Sequence, residues 1–152
     1  MRIGIIVHSK TNNTYSVANK IAERLKNAGH TATVERVEPE KYTSEQNIKL
    51  KTKPDIGGYD MLVFGAPVWG FSLSPVMREY LSQLEGQRVC TASGFVTQQL
   101  PFSWMGGNRA IMQMRKLCAA LEINMVKTGV VNWTNKKKDE QIEQIVTSFS
   151  AI

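Results

Sequence analysis

Apolar positions along the chain switch between two spacings. Residues 2–8 are apolar at nearly every step, the pattern of a strand covered on both faces. Val17, Ala18, Ile21, Ala22 and Leu25 then recur at three- and four-residue intervals, a helical stripe ending near Gly29. Residues 31–37 alternate and are β-branched, which predicts a second strand nearer an edge. Residues 39–58 are polar and admit either a short helix or a loop. A third, fully apolar strand is predicted at residues 60–66. Ser74 before Pro75 reads as a helix cap followed by proline at the first helical position. Val76, Met77, Tyr80, Leu81 and Leu84 supply that helix's buried face. A fourth strand is predicted at residues 87–93 and a fifth at residues 124–131. Between them, Ala110, Ile111, Met114, Leu117, Cys118 and Leu121 mark a helix, and Ile142, Ile145, Val146 and Phe149 mark a closing one.

Strands alternating with helices imply an α/β domain with a doubly wound parallel sheet and helices on both faces. No repeat or linker interrupts the pattern, so residues 1–152 read as a single domain. Ligands of such sheets bind beyond the carboxyl ends of the strands. That rule directs attention to the loops after Val7, Ala66 and Ala92.

Composition narrows the classes. A chain of 152 residues can bury roughly two thirds of its unfolded surface. The longest apolar runs fall far short of the about 20 residues that span a membrane. No secretory leader is expected, so the reading is cytoplasmic, with Cys90 and Cys118 as buried thiols. His8 and His30 have no Cys or His cluster around them, so no metal site is expected. The net charge of +6 calls for a polyanionic partner or a small anionic ligand.

The loop after the first strand reads Ser9-Lys10-Thr11-Asn12-Asn13-Thr14, with a helix following at once. Free backbone N–H groups, the positive end of the helix dipole, hydroxyls, amides and a lysine together suit a terminal phosphate. The glycine spacings of a Walker loop or a dinucleotide fingerprint are absent. An ordinary polar loop capped by Asn13 or Thr14 is the plainer alternative. The next loop, Pro67-Val68-Trp69-Gly70-Phe71, places aromatics around a glycine, and Ser93-Gly94-Phe95 opens a third, longer segment holding Phe102 and Trp104. Two aromatic loops beside a phosphate cradle describe a flat aromatic ligand carrying a phosphate, although each ring alone could simply cap the core.

Together these residues resemble the flavodoxin-like family. The phosphate loop of that family, (Ser/Thr)-x-Thr-x-Asn-Thr, is matched by residues 9–14, and its Gly-x-Pro strand end by Gly65-Ala66-Pro67. The resemblance implies a five-stranded sheet in the order 2-1-3-4-5 with non-covalent FMN. It implies that Ser9, Thr11, Asn13 and Thr14, with the backbone amides of residues 10–14, hold the phosphate. Trp69 would stack on the isoalloxazine, Gly70 would offer backbone near N5, and Ser93, Gly94 and Phe95 would form the second wall. Lys10 and Asn12 stand where glycines are common, which makes this loop more cationic.

Charge separates two functional expectations. Electron carriers of this type keep the flavin's potential low with surrounding negative charge. Here no Asp or Glu occurs between Glu85 and Glu122, nor within residues 67–74. Such a site should favour the anionic reduced flavin and bring the two one-electron steps together. An FMN-binding redox protein is therefore expected, either a carrier with a redox partner protein or an oxidoreductase passing hydride from NAD(P)H to a quinone-like acceptor. The chemistry would sit on FMN, with no catalytic side chain required. A non-redox phosphate- or nucleic-acid-binding module is disfavoured, because the basic charges are dispersed.

Overall fold

The computed structural model describes residues 1–42, 48–85 and 91–152. The elements follow the two apolar spacings. They are β1 (Arg2–Val7), α1 (Asn13–Asn27), β2 (Thr31–Arg36), β3 (Glu38–Pro39), β4 (Leu50–Thr52), β5 (Met61–Trp69), β6 (Ser72–Leu73), α2 (Pro75–Gln83), β7 (Thr91–Gln98), α3 (Gly107–Ala120), β8 (Asn124–Asn132) and α4 (Lys138–Ser150).

Five parallel strands pair in the order β2-β1-β5-β7-β8, the expected 2-1-3-4-5 arrangement of the five main strands. β1 lies between its partners, with Ile5 opposite Val34 on one side and Val63 on the other. Each central strand is buried on both faces, so successive side chains enter opposite cores. Ile6, Phe64 and Ala66 pack with Met77, Tyr80 and Met114 from α2 and α3. Ile5 and Val7 pack on the other face with Ile21 and Leu25 of α1 and Ile145 and Phe149 of α4.

Two strand boundaries differ from the expectation, and both differences move the candidate loops. β5 runs past Ala66 to Trp69 and turns back into β6, which pairs with it antiparallel. β7 (Thr91–Gln98) runs past the expected end at residue 93, and residues 87–90 of the expected strand lie outside the described residues. Ser93, Gly94 and Phe95 are therefore strand interior and are buried. Small residues hold them there. The Phe95 ring occupies the space beside the Gly65 α-carbon, and a β-carbon on Gly94 would come within 2.6 Å of Met114 Sδ.

The polar stretch at residues 39–58 contains no described helix. Instead β3 and β4 form a short antiparallel pair, and residues 43–47 lie outside the described residues. Cys118 is buried, which pushes its thiol up to about 12, while Cys90 lies outside the described residues. Among the described residues no helix is long and apolar enough to cross a membrane, and no His/Cys/Asp/Glu cluster has the makings of a metal site.

Candidate functional site

The carboxyl edge of the sheet gathers three loops. The first leaves β1 at His8, whose N–H donates to Gly65 O at 3.0 Å. α1 then starts at Asn13, and its cap residue is Asn12 rather than Asn13 or Thr14. Asn12 adopts φ 70°, a left-handed conformation that asparagine tolerates and glycine favours, which explains how it fills a position where glycines are common. Its side chain does not cap the helix; Oδ1 accepts from Arg36 Nη2 at 2.8 Å. Arg36 also lies 3.9 Å from the Tyr15 ring centroid, so this cation is committed to holding the loop against β2.

Ser9 Oγ accepts from the Tyr15 N–H at 3.2 Å, and the Thr14 hydroxyl is buried 2.8 Å from that of Thr97. Lys10, Thr11 and Asn12 face solvent. The first turn of α1 contains no acidic residue, and its leading N–H groups have no intrahelical acceptor. The loop thus offers donors and positive charge to an anion.

The second loop is the β5–β6 hairpin. Gly70 and Phe71 both have positive φ, 59° and 61°, as a tight two-residue hairpin turn requires. Among the described residues no atom lies within 4 Å of where a Gly70 β-carbon would sit, and Phe71 is 56% exposed. Pro67, Val68 and Trp69 lead into this turn half-buried.

The third loop begins after Gln98, not after Ala92. Phe102 and Trp104 stack within it, nearly parallel at 6.1 Å between centroids, and Trp104 is 75% exposed. β8 and the turn after it hold this loop down. Gln98 Nε2 donates to Phe102 O at 2.6 Å and to Asn132 Oδ1, Thr134 Oγ1 donates to Gln99 O, and Asn135 Nδ2 donates to Pro101 O. Gln98 Oε1 is buried and has no hydrogen-bond partner among the described residues. The second and third loops meet at Gly106, where a β-carbon would come within 2.8 Å of Phe71 Cα.

The structure therefore brings together residues 9–14 and 67–71 of the expected site, and it sets Ser93, Gly94 and Phe95 apart inside the sheet. Phe102 and Trp104 are exposed aromatics of the loop that follows β7. Three residues beyond the expected set, His8, Ser74 and Tyr42, also belong to this edge. His8 is buried, with Nδ1 2.6 Å from Ser74 Oγ, Nε2 3.0 Å from the Tyr42 hydroxyl, and its ring edge-on to Trp69 at 5.1 Å. Burial and the nearby Lys10 ammonium hold His8 down to about 4, so it is neutral near pH 7.

These residues fit flavin mononucleotide. A phosphate dianion suits the donors and the cation of residues 9–14, and a flat ring system suits the aromatic hairpin and the loop beyond Gln98. The buried acceptor Gln98 Oε1 adds an unpartnered polar atom at the same edge.

Comparisons with known proteins agree with this geometry. The chain matches the model of a family described as NADPH-dependent FMN reductase over residues 1–138. Among curated proteins no significant match was found. Solved structures similar over nearly the whole length include a flavoprotein in complex with FMN from Lactobacillus acidophilus NCFM, with TM-score 0.68, 15% identity and 98% of each chain covered. The Trp repressor binding protein from Bacillus subtilis aligns with TM-score 0.71 at 14% identity, covering 97% of this chain and 99% of that one. Oxidised flavodoxin 2 from Bacillus cereus aligns with TM-score 0.69 at 15% identity, covering 99% and 98%. At these identities the structural likeness concerns the fold. The family match carries the assignment: this chain belongs to the NADPH-dependent FMN reductase family, as an FMN-binding flavoprotein of flavodoxin-like fold.

Proposed function

We propose that residues 1–152 form one cytoplasmic oxidoreductase domain that takes hydride from NAD(P)H through bound FMN and passes it to a small quinone-like acceptor. One observation carries this reading over that of a dedicated electron carrier. The loops on the ring side, residues 67–74 and 99–108, contain no carboxylate, and the stretch between Glu85 and Glu122 has none at all. A ring environment without negative charge favours the anionic reduced cofactor and so a paired transfer of electrons.

In this reading Ser9, Thr11, Asn13 and Thr14, with the N–H groups of residues 10–14, bind the phosphate. Lys10 and the α1 N-terminus add positive potential there. Trp69 and Gly70 face the ring, with Pro67 and Val68 setting the entry of the hairpin. Phe71, Phe102 and Trp104 form the opposite apolar wall and exclude water from it. FMN itself supplies the hydride chemistry, so the protein needs no nucleophile or acid of its own. A one-electron carrier serving a redox partner protein is the second reading, favoured by the likeness to flavodoxin 2 over 98% of that chain.

The test is anaerobic mixing of the FMN-loaded protein with NADPH or NADH, followed by addition of a quinone. Prompt bleaching of the yellow colour and its return with the quinone are expected. A protein reduced by dithionite and unmoved by either nicotinamide would overturn the oxidoreductase reading in favour of the carrier. A colourless protein that FMN cannot reconstitute would remove both.

A further inference from the structure

Three side chains of the candidate site meet on one residue that the flavin motifs do not include. Tyr42 follows β3, within the stretch whose sequence pattern is uninformative. Its hydroxyl lies 3.0 Å from His8 Nε2, and its ring centroid lies 5.9 Å from those of His8 and Trp69. The Lys10 ammonium sits 4.6 Å from the Tyr42 centroid and 6.0 Å from that of Trp69.

The hydrogen bonds fix how this ring is presented. Ser74 Oγ accepts from the Met77 N–H at 3.2 Å as the cap of α2. Its own hydrogen is then free to point at His8 Nδ1, 2.6 Å away. That assignment puts the imidazole proton on Nε2, where it donates to the Tyr42 oxygen. Tyr42 is thereby held from its hydroxyl end, with a ring face turned to Lys10.

A lysine has a long flexible stem, so its charge has no fixed place unless something holds it. A carboxylate partner would hold the ammonium and cancel its charge. An aromatic face attracts it through the ring quadrupole and leaves the full charge available to an anion on the other side. Lys10 is the single cation within residues 9–14, and the neighbouring Arg36 is already bound to Asn12 and Tyr15.

We propose that Tyr42 is a positioning residue for the phosphate end of the site. Its ring holds the Lys10 ammonium beside the loop of residues 9–14, and so lets the protein select a phosphorylated flavin over an unphosphorylated one. The proposal rests on the reading of that loop as the phosphate site.

The experiment compares FMN with riboflavin, which has the same ring and no phosphate. Binding to flavin-stripped protein is read from quenching of flavin fluorescence, with folding checked by circular dichroism. Lys10→Met is expected to weaken FMN by about tenfold and Tyr42→Leu by about threefold or more, with riboflavin affinity unchanged in both. Tyr42→Phe keeps the ring face but loses the hydroxyl bond that holds it, so its FMN-to-riboflavin ratio should fall between those of the unaltered protein and Tyr42→Leu. The double variant Lys10→Met/Tyr42→Leu should bind FMN no more weakly than Lys10→Met alone.

Equal weakening of both flavins by Tyr42→Leu would overturn the proposal, as would multiplicative effects of the two changes. A Tyr42→Phe variant as weak as Tyr42→Leu would assign the effect to the hydroxyl and overturn the role of the ring face. Failure of the underlying reading looks different: the unaltered protein would then bind the two flavins equally well, or bind neither.

Discussion

The imidazole of His8 and the hydroxyl of Ser74 are joined at 2.6 Å, which ties the end of β1 to the first turn of α2. The bond is buried, and Lys10 stands close by, so the folded protein holds His8 at about 4 against 6.5 for an unperturbed histidine. Between those values the unfolded chain binds a proton that the folded one rejects. Stability is therefore unaffected by His8 above pH 6.5, falls as pH is lowered from 6.5 towards 4, and levels off below. The shift corresponds to about 3 kcal/mol across the window. Urea denaturation of the wild type and of His8→Asn at pH 7, 5.5 and 4.5 measures it. Asparagine should lower stability at pH 7 and reduce the further loss at pH 4.5. Parallel pH profiles for the two proteins would contradict this account.

The Phe95 ring fills the space a β-carbon on Gly65 would need. Gly65 and Phe95 are paired across β5 and β7, so neither backbone can step aside without breaking the ladder. Gly65→Ala should therefore destabilise the protein by about 1–3 kcal/mol through overpacking. Adding Phe95→Leu should recover part of the loss, because the smaller side chain vacates the space. Thermal melts of the two single variants and the double variant test the coupling. Additive losses would mean that the ring and the α-carbon do not compete for one volume.

The same pair shows where the sequence was readable and where it was not. Apolar runs such as Ile3, Ile5, Ile6 and Val7, and the stripe Val17, Ala18, Ile21, Ala22, Leu25, announce buried elements because burial on two faces or one stripe leaves a periodic mark. The parallel order followed from that alternation and the family resemblance. Ser93-Gly94-Phe95 resembles a loop opening by composition, yet it is strand. Gly94 is dictated by Met114 and Met125, and the Phe95 ring by the space that Gly65 leaves open, which are tertiary facts. Residues 9–14 were legible because phosphate binding needs local donors on one short segment. His8 and Tyr42 were not, since their meeting depends on the packing of β1 against the segment after β3. Gln98 and Asn132 likewise become partners only when β7 and β8 pair.

Phe71 sits at φ 61° in the β5–β6 turn, where a bulky side chain is strained. It is also more exposed than covered. A residue held against its preference on the surface fits a wall of the ring site better than a prop of the core. Phe71→Asn should leave the melting temperature unchanged or raise stability by up to about 1 kcal/mol, since asparagine accepts this conformation. FMN affinity should nevertheless fall, because the apolar wall is lost. A variant that loses stability and keeps its FMN affinity would place Phe71 in the scaffold instead.

Thr11 and Thr14 lie three residues apart in the phosphate loop but differ in what they already hold. Thr11 is exposed, whereas the Thr14 hydroxyl is buried against that of Thr97 at 2.8 Å. Removing the Thr11 hydroxyl takes away a donor that none of the described residues uses. Thr11→Ala should weaken FMN binding by about 1–3 kcal/mol, the value of a hydrogen bond to a charged group, and leave the melt of the flavin-free protein unchanged. Thr14→Ala strands the Thr97 hydroxyl in a buried place, so it should cost about 1–3 kcal/mol of stability without any flavin present and weaken FMN as well. Calorimetric titration with FMN and thermal melts of the flavin-free variants separate the two effects. FMN affinity untouched by Thr11→Ala would remove that hydroxyl from the phosphate site. A Thr14→Ala protein as stable as the wild type would show that the contact with Thr97 contributes nothing to the fold.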